Sequence, residues 1–210
     1  MTDDDVHDDQ LLLGFDARPA PSRMRDKWPL TQKREALLRL SVVAPLSVDY
    51  LIWPSAWPHE APTVGWRGPI QGLWDDVARL ESHLGSAPGR LWIVAVALEL
   101  KSVAAADQVE WRGLTSEVHV ATDWRSWKAL GYDVADRFLT SSTLWFRPGE
   151  DVNALRSKWG PQLNGHHLFA NFDSALKFRD CSNLRAPEHA PHFVYRLFFW
   201  RSAGQIGEDG

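Results

Sequence analysis

The segment LWIVAVALEL, residues 91–100, decides the fold because it is apolar on both faces of an extended chain. Gly89 and Lys101 bound this segment. A strand with two apolar faces is buried on both sides, which is typical of the middle of a sheet. We therefore predict a central strand here, and we look for the strands and helices that surround it.

A second apolar run, PHFVYRLFFWR at residues 191–201, predicts another strand because aromatic and β-branched side chains dominate it. Alternation places Phe193, Leu197 and Phe199 on one face, and we expect that face to be buried. Three further strands are predicted at residues 47–53, 128–134 and 166–170. The alternation in residues 108–112 and 117–121 favours a hairpin.

Helical spacing is clearest in residues 69–84, where apolar side chains recur every three or four positions up to Gly85. Further helices are predicted at residues 31–43, 150–159 and 173–181, the last of them capped by Asp173. Helices and strands alternate irregularly and no Gly-rich nucleotide-binding turn is present. These patterns predict the α+β class, a single domain with a mixed or mainly antiparallel sheet and packed helices.

The chain length of 210 residues suits one large domain. We predict a disordered acidic tail at residues 1–15, a globular domain at residues 16–202 and a flexible tail at residues 203–210. Setting aside the five aspartates of the first ten residues leaves 22 acidic and 23 basic residues. This balance argues against a nucleic-acid partner, because such proteins normally carry a basic stripe.

The single cysteine, Cys181, excludes an intrachain disulfide and fits a reducing compartment. The sequence shows no apolar run of the roughly 18 residues that a membrane helix needs. Its first residues carry aspartates where a secretory signal carries positive charge. We therefore expect a cytoplasmic protein that is not held in a membrane.

Twelve tryptophans stand out in the composition, and most fall in predicted helices and strands, where they favour core packing. Trp124 and Trp127 are different because Arg125 and Lys128 adjoin them, and Trp145 lies near Arg147. Aromatic side chains interleaved with cations are typical of surfaces that bind proteins or stack on nucleic-acid bases. Trp124, Arg125, Trp127 and Trp145 are therefore candidate partner-binding residues.

Asp133 and Asp136 are the candidate acidic site residues, because they follow an apolar strand and are expected to be exposed at a sheet edge. There they would meet a partner or bind nearby backbone N–H groups. A hydrolase that uses both aspartates with histidines of residues 166–192 is one alternative. A nucleic-acid-binding accessory protein that uses the Trp124–Lys128 patch is another. The histidines lack the convergent spacing of a zinc site, so we expect no metal and no cofactor.

Three segments of the C-terminal 80 residues carry a resemblance to a known family. They are GYDVAD at residues 131–136, NGHHLF at residues 164–169 and PEHAPHF at residues 187–193. In these segments the chain resembles a family of bacterial immunity proteins of polymorphic toxin systems, delivered by contact-dependent or type VI secretion. It departs from that family after Ser141, where STLWF replaces a turn similar to Ser-Asn-Cys-Gly.

The resemblance implies a protein without catalytic residues that binds a cognate toxin domain in a stoichiometric complex. Its partner would be that toxin domain. The resemblance alone does not decide whether Asp133 and Asp136 contact the toxin domain or are structural turn residues. The toxin's activity and the oligomeric state of the chain stay open.

Overall fold

The apolar segment at residues 91–100 is the centre of an antiparallel sheet in the computed structural model of the chain. The structure describes residues 9–19, 73–84, 91–115, 123–137, 139, 151–164, 166 and 168–203. Within these ranges, the elements in chain order are β1 (Gln10–Pro19), α1 (Val77–Leu84), β2 (Leu91–Glu99), α2 (Ala105–Leu114), β3 (Lys128–Asp136), α3 (Val152–Trp159), α4 (Phe172–Arg185) and β4 (His192–Ala203).

The four strands form one sheet in the order β1-β2-β4-β3, and every neighbouring pair is antiparallel. The two strands with the strongest apolar runs, β2 and β4, therefore lie at the centre. Helices cover this sheet, so the predicted α+β single domain is confirmed. The predicted strands at residues 91–100, 128–134 and 191–201 are present with boundaries shifted by a few residues.

Side chains of a strand alternate between the two faces of a sheet. In this sheet, both faces carry buried apolar side chains. One face, here called the α2 face, carries Val96, Tyr195 and Leu197, and Trp111 of α2 packs on it. On the opposite face, Phe198 packs with α1 at one end, and Val194 packs with Phe178 of α4 at the other end. This opposite face is called the α4 face.

The predicted apolar face of the last strand is confirmed for Phe193 and Leu197, which are 5% and 0% exposed. Phe199 is half-buried rather than fully buried, and its ring meets the edge of Trp92 at 4.9 Å.

Among the described strands, the two outer ones, β1 and β3, each carry a bulge next to a glycine, and another segment crosses each bulge. Gly131 has φ +142, and a Cβ there would lie 2.7 Å from Asn164 Nδ2. Gly14 has φ +147, and a Cβ there would lie 2.6 Å from the Trp74 backbone oxygen. Phe169 then bridges β3 at Tyr132 as Trp74 bridges β1. Bulges and crossing segments of this kind interrupt an edge that would otherwise pair with other chains.

The predicted helix at residues 69–84 begins later than expected, at Val77, and its first four residues lie outside the described ranges. Trp74 instead pairs with Phe15 of β1 through two backbone hydrogen bonds of 2.8 Å. Asp76 Oδ1 accepts the backbone N–H of Ala78 at 2.7 Å and so caps the helix. The spacing of Leu73 and Trp74 also fits a helix. In the structure, however, the Trp74 backbone pairs with Phe15 of β1 in an extended arrangement.

The predicted hairpin strand at residues 108–112 is wrong, because these residues lie in α2. Trp111 is 2% exposed and Val109 is 77% exposed, whereas the strand required both on one buried side. The helix instead turns Gln108, Trp111 and Leu114 inward at helical spacing. The second predicted strand of the hairpin, at residues 117–121, lies outside the described residues.

The predicted acidic tail at residues 1–15 is wrong from Gln10 onward, where β1 begins. Leu12, Leu13 and Phe15 are buried, so the apolar run LLLGF outweighs the aspartates that precede it. At the other end, β4 continues to Ala203, one residue beyond the predicted domain boundary. Residues 1–8 and 204–210 lie outside the described ranges, as do the predicted helix at residues 31–43 and strand at residues 47–53.

The helices of the C-terminal third agree better with expectation. The helix predicted at residues 150–159 is present as α3. The one predicted at residues 173–181 is present as α4, but it extends to Arg185 and its cap is Asn171, which accepts the Ser174 N–H at 2.9 Å. In place of the strand predicted at residues 166–170, the described residues show isolated bridges at Phe169.

Candidate functional site

The tryptophans predicted to bind a partner belong to the core. Trp124 and Trp127 are 2% and 8% exposed, which corrects the expectation that they are available to a partner. Trp124 meets the edge of Phe198 at 5.1 Å, and Trp127 stacks on Trp200 at 4.3 Å. Arg125 is exposed and lies over the Trp124 ring at 4.8 Å. Trp145 lies outside the described residues.

Asp133 is fully buried at 0% exposure, although β3 is an edge strand. It lies opposite Tyr195 in the register of β3 and β4, and its Oδ1 accepts the Val134 N–H at 2.8 Å. The expectation of an exposed Asp133 is therefore wrong, whereas the expected backbone N–H contact is present.

Asp136 is also buried, at 5% exposure, and it lies opposite His192 in the register. Its Oδ2 is 3.7 Å from His189 Nδ1, and its backbone oxygen accepts the Tyr195 hydroxyl at 2.9 Å. Asp133 and Asp136 are three positions apart, an odd number, so the two side chains point to opposite faces of the strand. This geometry overturns the hypothesis of one hydrolytic site that uses both carboxylates.

We expect Asp136→Ala to lower the free energy of unfolding by about 1 to 3 kcal/mol, because it removes a buried carboxyl group that lies against His189. Denaturant unfolding measures this change. Asp180→Ala is the control, since that carboxylate is 62% exposed at the side chain and should matter little. An unchanged stability of Asp136→Ala would contradict the structural role and return Asp136 to the contact residues.

His192 links the start of β4 to the end of α4. The Asn183 Oδ1 accepts the His192 backbone N–H at 2.8 Å and lies 2.9 Å from its ring Nδ1. A neutral His192 ring therefore carries its proton on Nδ1. Burial lowers the pKa of His192 to about 4, and the nearby Asp136 carboxylate opposes this shift. The imidazole is thus held neutral inside the structure.

Ser102 joins three elements at the same end of the sheet. Its hydroxyl donates to the Glu99 oxygen at 2.7 Å and accepts the Val194 N–H at 3.0 Å. Its own backbone oxygen accepts Arg179 Nη1 of α4 at 2.7 Å. The sequence analysis did not single out Ser102 or Asn183, and it considered His192 only among the histidines of residues 166–192, because the only sequence signal of these positions is a polar residue near an apolar strand.

The three segments that carry the family resemblance meet in space. Asn164 Nδ2 donates to the Leu130 oxygen at 2.6 Å, and its Oδ1 accepts the N–H groups of His166 and Leu168. Tyr132 and Phe169 exchange backbone hydrogen bonds of 3.0 and 2.8 Å. The contact of Asp136 with His189 joins the third segment. We call these residues, 130–136, 163–169 and 187–193, the C-terminal block.

One part of this region is exposed. Leu184, at the end of α4, is 85% exposed, and it is one of two large apolar side chains with high exposure among the described residues, Val109 being the other. Pro187, Ala190 and Pro191 of the following turn are exposed as well. We call residues 184–191 the α4 corner. Residues 187–191 of this corner belong to the C-terminal block and Leu184 adjoins it, so we take the corner as the candidate partner-binding site.

Comparison of the chain with protein-family models, curated proteins and solved structures finds no match. Within the described ranges, no helix is long and apolar enough to cross a membrane. The same residues contain no group of three or more His, Cys, Asp or Glu side chains arranged to hold a metal ion.

Proposed function

We propose that the chain is an immunity protein of a polymorphic toxin system. It binds a cognate toxin domain in the cytoplasm of the producing cell and neutralises it by forming a stoichiometric complex. The observation that carries the proposal is the C-terminal block. Residues 131–136, 164–169 and 187–193 are far apart in sequence, yet Asn164, Phe169 and His189 bring them into direct contact.

These contacts support the resemblance, because the three segments that carry it hold one another in position and form one structural unit. In this scaffold the aspartates of GYDVAD have buried positions. A protein that acts by binding needs a stable scaffold and a complementary exposed surface, and the scaffold residues need not touch the partner. The α4 corner supplies exposed residues on such a scaffold.

The test is co-expression with the toxin domain encoded by the adjacent gene. We expect the chain to rescue growth and to co-purify with the toxin domain at moderate salt. Purified components should show an end point of toxin inhibition at about one equivalent, as expected for a tight complex. Failure of the pair to associate would contradict the proposal.

A hydrolase is the second candidate function, because Asp136 lies beside His189 and opposite His192. Carboxylate and imidazole pairs of this kind occur in general acid–base catalysis. Titration of the toxin domain with the purified protein separates the binding function from the hydrolase function. An enzyme would neutralise many equivalents of toxin with time, and Asp136→Asn would abolish this effect in protein that is still folded. A binder would stop at one equivalent.

A further inference from the structure

Arg196 places a positive charge in the middle of an otherwise apolar part of the sheet. It lies on β4, opposite Ala97 of β2 and Tyr132 of β3. Alternation along β4 puts its side chain on the α4 face, between Val194 and Phe198. Val194 belongs to the apolar cluster that α4 covers, and Phe198 belongs to the one that α1 covers. Arg196 therefore lies between the two clusters, and it is half-buried there.

The guanidinium of Arg196 has aromatic neighbours but no anion in contact with it. Its Cζ lies 5.2 Å from the centre of the Tyr132 ring and 5.1 Å from the centre of the Phe198 ring. It forms no ion pair and no side-chain hydrogen bond with the described part of the chain, and its Nε is buried without an acceptor. A partly buried charge is costly unless an anion compensates for it. Arg196 is therefore a cation to which an added anion would bring a net gain.

Glu99 is the carboxylate whose field acts on this region, but its hydrogen bond is made elsewhere. It lies two residues beyond Ala97 on the same face, and its Oε1 accepts Gln10 Nε2 at 2.7 Å. Burial raises the pKa of Glu99, and the Gln10 hydrogen bond and the charge of Arg196 oppose this effect only in part. A close ion pair with Arg196 would lower this pKa instead. Glu99 thus leaves the donors of Arg196 available.

The surroundings of Arg196 define the chemistry of a ligand. A guanidinium presents its N–H donors as a planar fork, which matches the two oxygens of a carboxylate. Burial raises the pKa of the Tyr132 hydroxyl, and the charges that act on it are those of Arg196 and Glu99. One cation beside one carboxylate favours a monoanion over a phosphate dianion, whose second charge would lack a partner. The rings of Tyr132 and Phe198 favour an apolar or aromatic body attached to the carboxylate.

We propose that Arg196 is the centre of a binding site for a small organic monocarboxylate with an apolar or aromatic body. The carboxylate accepts the Nη N–H groups of Arg196, because Nε is covered, and the body packs against the Tyr132 and Phe198 rings. Arg196 lies at the sheet surface between the clusters under α1 and α4, a position that suits a small molecule better than a carboxylate carried on a protein surface. The site is separate from the α4 corner and does not rest on the proposed function.

The test measures benzoate binding to the full chain by isothermal titration calorimetry. Arg196→Gln removes the charge of the site. Arg137→Gln is the matched control, because Arg137 also lies over an aromatic ring, that of Trp111 at 5.5 Å, but pairs with Glu110. We expect saturable binding to the wild type, a Kd raised at least about tenfold in Arg196→Gln and an unchanged Kd in Arg137→Gln.

Two further probes need only the wild-type protein. Benzamide has nearly the shape of benzoate without its charge, and inorganic phosphate has charge without an apolar body. We expect each to bind at least about tenfold more weakly than benzoate. The melting temperature of Arg196→Gln should equal or exceed that of the wild type, because the variant removes a charge without an anionic partner.

Each other outcome overturns a definite statement. Absence of saturable benzoate binding to the wild type removes the site. Equal binding of benzoate and benzamide shows that the charge is not recognised, and an equal loss in both variants shows that Arg196 is not its centre. A clear fall in the melting temperature of Arg196→Gln contradicts the uncompensated charge. If benzoate does not bind and Arg196→Gln weakens the complex with the toxin domain, the arginine receives an acidic side chain of that domain instead of a small molecule.

Discussion

We expect Phe178→Ala to lower the free energy of unfolding by about 3 to 5 kcal/mol, as deletion of a fully buried aromatic ring usually does. Phe178 is 1% exposed. Its ring lies 4.8 Å from Trp159 and 5.0 Å from Phe169, so it connects α4 with α3 and with the segment that crosses β3. The loss includes these ring contacts and the cavity left between three elements. Urea unfolding measures it.

The control is Leu184→Ala, six positions further along the same helix. It removes an apolar side chain that is 85% exposed, so the free energy of unfolding should change by less than about 0.5 kcal/mol. A similar small loss in both variants would mean that Phe178 is not enclosed and that α4 does not pack on the sheet as described. The pair therefore tests the position of α4 directly.

The sheet could be predicted from the sequence largely because its central strands are apolar on both faces. Segments such as residues 91–100 specify strand and burial together, and no competing pattern is present there. Strand β1 was missed because five aspartates precede it and dominate the composition of the N-terminus. Its three leucines and Phe15 indicate a buried strand, but the negative charge of the preceding aspartates favoured a disordered tail instead.

Helix α2 shows a different limit. Val109 and Trp111 alternate with polar residues as in a strand, and Trp111 and Leu114 also fit a helix. Over so few residues, the two periods cannot be separated. The structure chooses the helix because Trp111 then reaches Phe193 on the sheet, with the two ring centres 5.3 Å apart.

Asp133 and Asp136 lie in β3, close to the strand predicted at residues 128–134, but the expectation that they are exposed was wrong. Asp133 and Asp136 were selected because they follow an apolar strand, and the sequence does not reveal that Phe169 and His189 come from elsewhere to cover that edge. Burial on an edge strand depends on such distant segments, which leave no periodic signal in the strand itself. Leu184 was missed for the converse reason, since its exposure is visible only once the inward face of α4 is known.

The stability of the protein should depend on pH through His192. Its pKa is lowered to about 4 in the folded chain, from an ordinary value of 6.5, chiefly because of burial. Between these values the unfolded chain binds the proton and the folded chain does not, so the contribution is present above about pH 6.5 and lost as the pH falls. We expect the loss to reach about 3 kcal/mol by about pH 4, since one pKa unit corresponds to about 1.4 kcal/mol.

The measurement must separate His192 from other titrating groups. Burial raises the pKa of Glu99, so that carboxyl acts in the opposite direction and adds stability as the pH falls. Urea unfolding of the wild type and of His192→Gln at about pH 7 and about pH 4 removes this effect, because Glu99 is common to both. We expect the wild type to lose about 3 kcal/mol more than His192→Gln over this range. Parallel pH profiles for the wild type and His192→Gln would show that His192 titrates alike in the folded and unfolded chain. Its place between Asn183 and Asp136 would then be wrong, and so would the support that it gives to the turn at residues 187–191.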